Sequence, residues 1–460
     1  MRFGKTILAS VSILALCPVA ASAQALSAED AAKIRSEMAE MKAKLEAMES
    51  LLSSVSQQQQ QTKTVVAENT AAVAQTAAAV KKQPDVKVTW KGGPKIEGKG
   101  GWSFKPRGRL QVDFATVGAP SSINDPGLGF SNELRRARLA VVGTVPGGFG
   151  YKFEADFAGN NVSVADAIIS FKNGGTKVEI GNQNNFQSLE ELTSSLNISF
   201  MERSALTDAF GFERRVGVSV THRTGDVELS GGVFTANINN LNSDETNSYS
   251  LDGRAVWTPK FGNTQVHLGG SVHWRDLNAL GRGTKRYRQR PFVHSTDTRF
   301  LNTGNFQVTE ELNYGLEGAV INGPLHATGE VHWLQAKRPG LANPTFFGGY
   351  AEVGYFFTKG DTRGYKGSKF DRIKPKNPLG GGGIGAIQAN LRYDHLDLND
   401  AGIVGGTQNT FAASLIWTPV TYVRFLLNYA HINYRNAAIA AGTSRNYSAD
   451  VAGVRAQIDF

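Results

Sequence analysis

Residues 107–114 read RGRLQVDF, and apolar and polar side chains alternate strictly along this stretch. Leu110 and Phe114 fall on one side of an extended chain, whereas Arg109 and Asp113 fall on the other, because successive side chains of a strand point to opposite faces. A period of two residues therefore predicts a β-strand with one apolar face and one polar face.

The same alternation recurs in about sixteen segments after residue 102, each of about ten residues, which is the length that a tilted strand needs to cross a bilayer core. They are 104–114, 134–143, 150–158, 163–172, 176–183, 215–223, 226–235, 248–257, 263–274, 311–320, 325–334, 348–358, 385–394, 409–417, 422–430 and 450–460. Closure of such a sheet pairs every backbone N–H and C=O group with another strand, and this is required in a bilayer because lipid tails cannot form hydrogen bonds with these groups. The pattern predicts an all-β fold, a 16-stranded antiparallel transmembrane β-barrel over residues 102–460.

The connections between these segments alternate in length. Short ones carry the turn residues Gly, Asn and Pro, as at 146–148, 173–175 and 322–324. Long ones are predicted at 115–133, 184–214, 236–247, 275–310, 395–408 and 431–449, and the stretch 359–384 is long where a short turn is expected. Short turns on one rim and long loops on the other are typical of outer-membrane barrels.

Residues 1–23 read as a signal peptide, with Arg2 and Lys5 before a short apolar core and Ala21-Ser22-Ala23 at its end. This pattern predicts export. Cys17 is the sole cysteine, so cleavage would leave a mature chain without one. An exported chain is not expected to have a nucleic-acid partner.

Residues 27–56 predict a coiled coil. Apolar residues recur there at alternating spacings of three and four, at Ala31, Ile34, Met38, Met41, Leu45, Met48, Leu52 and Val55. This is a heptad seam, which we expect to pair with copies of itself in the periplasm; an amphipathic helix lying on another surface is the alternative. Residues 57–101 form a low-complexity region followed by a Gly/Lys/Pro linker.

The polar strand faces of a 16-stranded barrel enclose a water-filled lumen, so they set its electrostatics. The chain carries a formal net charge of +9, and many of the predicted inward positions are basic. Arginines and lysines in a lumen favour the passage of anions. Alternatively, these basic residues neutralise acidic residues of the lumen or contact lipopolysaccharide. Since no Gly-x-Ser-x-Gly motif occurs, we expect a channel rather than an enzyme, with no catalytic residue, metal or cofactor.

Several ordered motifs resemble the phosphate- and polyphosphate-selective porins, the porin O/P family. They include FKPRGRLQVD (104–113), LRRARL (134–139), MERS (201–204), FFTKG (356–360) and KFDRIKP (369–375). The resemblance covers about residues 100–460 and implies a homotrimeric 16-stranded barrel in the outer membrane. In that family phosphate passes an arginine ladder to a narrow central site beside the third long loop.

The resemblance also implies pore-lining residues of an anion pathway. By position these are Arg109, Arg135, Arg136, Lys152, Asp166, Glu191, Arg286, Arg288 and Arg290. Two of the matches conflict with other observations. Strict alternation places Arg136 and Arg138 in the lumen but Arg135 outside, and Glu191 stands where phosphate-specific members carry a lysine.

The resulting hypothesis is a porin in the Gram-negative outer membrane, surrounded by lipid and lipopolysaccharide, that passes small anions, phosphate being the candidate, by passive diffusion. Two alternatives stay open. The protein could be a porin of broader specificity without phosphate selectivity, or a barrel-anchored tether that reaches the cell wall through its coiled coil.

Overall fold

The computed structural model describes residues 28–81, 86–159, 161–240, 248–277 and 284–460. The predicted signal peptide, residues 1–23, lies outside the described residues. The chain divides into two units, Met1–Gln83 and Pro84–Phe460.

The first unit contains one long helix, α1 (Ala28–Lys81). It includes the predicted coiled-coil segment and continues through much of the stretch predicted as low-complexity sequence. The heptad residues are exposed in the single chain, at 61% for Met38 and 59% for Leu45. No helix among the described residues is both long enough and apolar enough to cross a membrane. Pairing of α1 with other copies stays a prediction.

The second unit begins with a small hairpin, Lys87–Trp90 with Pro94–Glu97, inside the predicted linker. Sixteen long strands follow, and the prediction of a 16-stranded antiparallel barrel is confirmed. They are β1 (Ser103–Gly118), β2 (Gly129–Val145), β3 (Phe149–Asp156), β4 (Ser163–Asn173), β5 (Thr176–Asn184), β6 (Arg214–Thr224), β7 (Val227–Phe234), β8 (Tyr249–Trp257), β9 (Thr264–Asp276), β10 (Glu310–Asn322), β11 (Leu325–Lys337), β12 (Thr345–Phe356), β13 (Ala386–Asp400), β14 (Ile403–Val420), β15 (Val423–Arg435) and β16 (Tyr447–Asp459). β16 pairs with β1, for example Ile458 with Leu110, and this pairing closes the barrel.

The alternation of the sequence becomes an outer and an inner face. On β15 the side chains of Phe425 and Leu427 are exposed on the outside, whereas Arg424 and Leu426 are buried inside. Aromatic residues of neighbouring strands pack on the outer surface, and the rings of Trp417 and Phe425 stack with centroids 5.4 Å apart. An apolar outer face with aromatic bands suits contact with lipid.

A β-bulge interrupts the register between β1 and β2. Gln111 pairs with Arg136, but Val112 pairs with Leu134, so Arg135 has no partner opposite it. Because the extra residue shifts the alternation, Arg135 turns to the lumen together with Arg136 and Arg138. The alternation rule was therefore wrong for Arg135, and the position implied by the family resemblance is the one observed.

The connections partly follow the predicted pattern. The long connection predicted at 395–408 is wrong, because β13 and β14 extend through it and leave only a tight turn at Ala401. Residues 357–385 form a long connection on the rim of the short turns, and they contain a small hairpin, Gly364–Tyr365 with Phe370–Asp371. We call this connection the turn segment.

Two long connections fill part of the barrel. Loop 3 (residues 185–213) contains the short helices α2 (Leu189–Leu192) and α3 (Ala205–Ala209). Loop 5 (277–309) is described except for residues 278–283. Phe200 of loop 3 and Phe292 of loop 5 pack edge to face, with ring centroids 6.3 Å apart, in the main buried core. The loops therefore narrow the lumen.

Candidate functional site

Loop 3 is held against the barrel wall by carboxylates at the starts of its helices. Glu330 of β11 accepts hydrogen bonds from the backbone N–H groups of Leu189 and Glu190, at 2.9 and 2.7 Å. Asp394 of β13 accepts one from Ala205 at 3.0 Å. The first N–H groups of a helix lack intrahelical partners, so these contacts stabilise α2 and α3 in place.

Two buried arginines add ion pairs to these contacts. Arg392 of β13 pairs with Glu190 at 2.5 Å and with Glu352 at 2.7 Å. Its guanidinium group lies 4.5 Å from the ring centre of Phe200, on loop 3. Arg455 of β16 contacts Asp113 at 2.6 Å and Glu202, also on loop 3, at 2.9 Å. Loop 3 is thus connected by buried charge pairs to strands far apart in the sequence.

Three adjacent cavities lie along the lumen. The loop-side cavity, about 360 Å³, is bordered by loops 3 and 5. The central cavity, about 360 Å³, lies between loop 3, loop 5 and β2. The turn-side cavity, about 390 Å³, is bordered by loop 3, the turn segment and β1. We call the residues that border both the central and the turn-side cavity the throat; they are Arg136, Arg138, Glu191, Arg203 and Arg214.

Acidic side chains orient several of the cations near the throat. Arg138 contacts Glu154 at 2.9 Å and Asp156 at 2.6 Å, and Arg109 contacts Glu154 at 3.3 Å. Glu154 thus pairs with cations of two different strands, and Asp156 also accepts a hydrogen bond from the backbone N–H of Ala137. These contacts fix the positions of the guanidinium groups and neutralise part of their charge.

Asp166 orients two other cations through ion pairs. It contacts Lys152 at 2.5 Å and Arg214 at 2.9 Å. It borders none of the three cavities, so its part in the site is to position these side chains. Arg136 differs, since it makes no ion pair among the described residues and its Nη1 donates to Gln111 at 2.9 Å.

Glu191 lies in the throat on α2. Its carboxylate contacts Nε of Arg203 at 3.2 Å, and Arg203 also donates to the backbone carbonyls of Glu190 and Thr193. Burial raises the pKa of the Glu191 carboxyl above its usual value, against the opposing effect of Arg203. Glu191, the residue at which this sequence departs from the phosphate-specific pattern, therefore lies in the throat and is paired with one cation.

Arg135 borders the central cavity but is not free. Its guanidinium group pairs with both carboxylate oxygens of Glu202, at 2.8 and 3.0 Å. Burial raises the pKa of Glu202, but Arg135, Arg455 and Arg136 together outweigh burial and hold this pKa well below its usual value.

The loop 5 arginines are separate from the throat. Arg286, Arg288 and Arg290 border the loop-side cavity, and Arg290 also borders the central cavity. Arg290 contacts Asp208 and Asp297, at 3.8 and 3.2 Å. Arg286 and Arg288 make no ion pair within the part of the chain that the structure describes.

The predicted site residues are thus distributed over three cavities and do not form one cluster. Arg109 and Lys152 border the turn-side cavity, and Arg135 borders the central cavity. The prediction omitted Arg203, which lies in the quoted motif at 201–204, and it omitted Lys366 and Lys369 of the turn segment. The unexpected length of this segment was the signal that could have found the two lysines.

Comparisons with known proteins agree with this architecture. The family described as "Phosphate-selective porin O and P" matches residues 104–460. An uncharacterized protein of Caulobacter vibrioides is 44% identical over 463 residues, covering 97% of this chain and 94% of that protein.

Among solved structures, in-vitro folded OmpT, an outer membrane protein of Vibrio cholerae, has a TM-score of 0.51 at 11% identity, covering 78% of this chain and 98% of that chain. The high-pH structure of OprB from Pseudomonas putida has a TM-score of 0.50 at 11% identity, covering 78% and 94%. At these identities the likeness concerns the fold alone.

Proposed function

Because this chain belongs to the phosphate-selective porin O and P family, and is thus an outer-membrane porin and a channel, we propose that it conducts small anions, phosphate or polyphosphate among them, by passive diffusion through a basic lumen. Solutes would pass from the loop-side cavity through the central cavity and the throat to the turn-side cavity. No reaction is involved in this proposal.

The excess of cations along the three cavities carries the proposal. The turn-side cavity is bordered by the basic residues Arg109, Arg136, Arg138, Lys152, Arg203, Arg214, Lys366 and Lys369, and by the acidic residues Glu191 and Asp371. Basic residues also outnumber acidic ones around the other two cavities. Arginine and lysine in a wet pore attract anions and lower the barrier to their passage.

Arg136 is the cation best placed to contact a permeating anion. It lies in the throat and has no carboxylate partner among the described residues, whereas Arg138 and Arg214 are each paired. Nη1 of Arg136 donates to Gln111, but no carboxylate offsets its charge, so the remaining donors of the guanidinium group are available to phosphate oxygens.

Glu191 favours a second candidate, an anion porin of broader specificity. Its carboxylate offsets one throat cation through the contact with Arg203 at 3.2 Å. Since a phosphate dianion is repelled twice as strongly as chloride by one negative charge, Glu191 reduces the advantage of phosphate over monovalent anions.

Planar-bilayer recordings across a KCl gradient test the proposal. The reversal potential should show chloride selectivity, and phosphate should reduce the chloride current. R136Q should weaken both effects, whereas R435Q, at an exposed position of β15, should change neither. Cation selectivity of the wild-type channel would refute the proposal, and selectivity without phosphate block would favour the second candidate.

We also propose that the porin is a homotrimer and that α1 pairs with the α1 helices of the other copies. The exposed heptad seam supports this, because a Met- and Leu-lined helix gains stability when copies cover its apolar side. A tethering role in the envelope is the alternative use of α1. Deletion of residues 28–81 separates the two, because a tether would lose envelope integrity while a porin would keep its conductance.

A further inference from the structure

An apolar groove of about 560 Å³ lies on the outer face of β12, β13, β14 and β15, away from the lumen. Ala413 of β14 stands in register between Leu391 of β13 and Tyr429 of β15, and its small side chain leaves a hollow between the two larger ones. Leu391, Phe411 and Tyr429 around this hollow are exposed, at 61%, 57% and 49%. The volume is within the range of about 300–1,000 Å³ that is typical of small-molecule sites.

A polar cluster lies at the loop-side edge of the groove, on β15 and β16. The hydroxyl of Tyr429 donates to Oδ1 of Asp450 at 2.6 Å, and Nδ1 of His431 contacts the same oxygen at 2.8 Å. The side chains of His431 and Asp450 are 39% and 56% exposed, whereas Phe425 and Leu427, outward positions of β15 nearer the turns, are apolar. The cluster therefore marks the loop-side edge of the apolar band.

A second cluster repeats this arrangement on β13 and β14. The hydroxyl of Tyr393 donates to Oδ1 of Asn409 at 2.7 Å, and Nδ1 of His395 contacts the same oxygen at 2.8 Å. In both clusters the tyrosine and the histidine are two residues apart on one strand, and the acceptor lies on the next strand. Nε2 of each histidine makes no hydrogen bond to the residues that the structure describes, so each ring keeps one nitrogen for a ligand outside the barrel.

The four strands are long enough for lipid to cover this face. They contain 12, 15, 18 and 13 residues, whereas a tilted strand crosses the bilayer core in about 9–11 residues. The groove is continuous with the apolar band that faces lipid, and the clusters lie toward the rim of the long loops, which in outer-membrane barrels faces the outside of the cell. A ligand here therefore has an apolar part within the outer leaflet and a polar part at its surface.

The two clusters favour a headgroup rich in hydroxyl groups. A tyrosine hydroxyl, a histidine nitrogen and the amide of Asn409 each donate or accept single hydrogen bonds, as sugar hydroxyls do. Neither cluster contains an arginine or a lysine, and the negative charge of Asp450 repels a phosphate group. A saccharide hydroxyl can instead donate to this carboxylate and accept from Nε2 of His431.

We propose that the groove and the two clusters bind a glycolipid of the outer leaflet, lipopolysaccharide, with an acyl chain in the groove and saccharide hydroxyls on His395 and His431. The ring of Tyr393 packs on Phe411, with centroids 5.2 Å apart, and it presents an apolar body to the chain and a hydroxyl to the headgroup. The inference depends on the barrel lying in the outer membrane and not on the anion selectivity of its lumen.

The test is the binding of purified lipopolysaccharide with a short saccharide to the delipidated mature porin in detergent, with native mass spectrometry counting the bound lipid. A413L fills the hollow and should weaken binding by about tenfold. H431A removes one hydrogen bond and should weaken it by about fivefold. The controls are A456L, at an outward position of β16 that does not border the groove, and H222A, at the turn-side end of β6; neither should change the affinity.

A phospholipid separates the contribution of the headgroup from that of the chain. Phosphatidylglycerol with acyl chains of the same length should bind the wild-type porin more weakly than lipopolysaccharide does, and H431A should leave its affinity unchanged. A heat-modifiability gel shows whether each variant forms a barrel, and H431A provides the test if A413L does not fold.

Loss of affinity in A413L and H431A, with A456L and H222A unchanged, supports the site. Equal affinity of A413L, H431A and the wild type for lipopolysaccharide would overturn it, as would equal affinity of the wild type for the two lipids. Cys17, in the predicted signal peptide, is the sole cysteine, so oxidative cross-linking of A413C between copies would show that a second copy covers the groove, which also overturns the site. A channel that selects cations would overturn the anion-porin proposal and leave this inference standing.

Discussion

Replacement of Glu191 by glutamine removes a negative charge from the throat and leaves the shape of the side chain almost unchanged. The Glu191 carboxylate contacts Arg203 at 3.2 Å and borders both the central and the turn-side cavity. Arg203 keeps its hydrogen bonds to the carbonyls of Glu190 and Thr193, so α2 should stay in place. E191Q should therefore act on passing anions rather than on the fold.

Coulomb's law gives the size of the effect. A dianion about 6 Å from the carboxylate is repelled by about 1.4 kcal/mol in a medium with the dielectric constant of water, which is about tenfold in affinity. Screening in about 0.1 M salt, where the Debye length is about 10 Å, lowers this to about fourfold. E191Q should lower the half-blocking phosphate concentration by about four- to tenfold, and E191K should lower it further.

The pH dependence gives an independent check on the same residue. Since burial raises the pKa of Glu191, its carboxyl group gains a proton at a higher pH than the ordinary value of about 4.3. Acidification through this raised pKa removes the negative charge, so block by sulfate, which keeps both charges throughout, should strengthen as the pH falls. In E191Q this step should be absent.

Planar-bilayer block of chloride current, at low and at high salt, measures both effects. The matched control is D226N, because Asp226 lies in an exposed turn and borders none of the three cavities. Equal half-blocking concentrations in E191Q and the wild type, or the same pH step in both, would show that the Glu191 carboxylate does not face the permeating anion. A shift that persists at 1 M salt would contradict a Coulombic origin.

Three further changes test other parts of the structure. R392M leaves Glu190 and Glu352 buried without their partner, which should cost about 3–5 kcal/mol of unfolding free energy. The barrel should therefore unfold at a lower temperature on heat-modifiability gels, whereas R435M, which changes an exposed side chain, should leave this temperature unchanged. Equal unfolding temperatures for R392M and the wild type would contradict the role of Arg392. K369Q removes a turn-segment cation that has no ion pair among the described residues. Phosphate block of the chloride current from the turn side should therefore weaken by about two- to fourfold at physiological salt, and K359Q is the control. Unchanged block in K369Q would show that the turn segment does not line the path. M48C, in the heptad seam of α1, should form disulfide cross-links between copies under mild oxidation, whereas E49C beside it should form few; equal cross-linking of the two would argue against the seam.

The barrel could be predicted because each strand carries its pattern within itself. Along β9, for example, His267 and His273 fall on one face of the strand and Leu268 and Trp274 on the other. This alternation can be read without knowledge of the neighbouring strands. All sixteen predicted segments correspond to strands of the structure. Connection lengths were less reliable, since the end of a strand depends on the strand beside it, as at 395–408.

The site depended on contacts that the local pattern does not contain. Arg135 faces the lumen because of a bulge in the register of two strands, and a bulge is a property of the pair. The two lysines of the turn segment reach the turn-side cavity because that connection folds into the barrel.

The sequence by itself determined that the chain after the linker forms a closed sheet with an apolar outside and a polar lumen, because the two-residue period is a local property of each strand. The tertiary structure alone decided which cations border the throat, which carboxylates neutralise them and where loop 3 lies. The physical reason is separation along the chain: Arg455 contacts Glu202 at 2.9 Å although the two residues are 253 positions apart in the sequence, and such a pairing exists only once the barrel has closed.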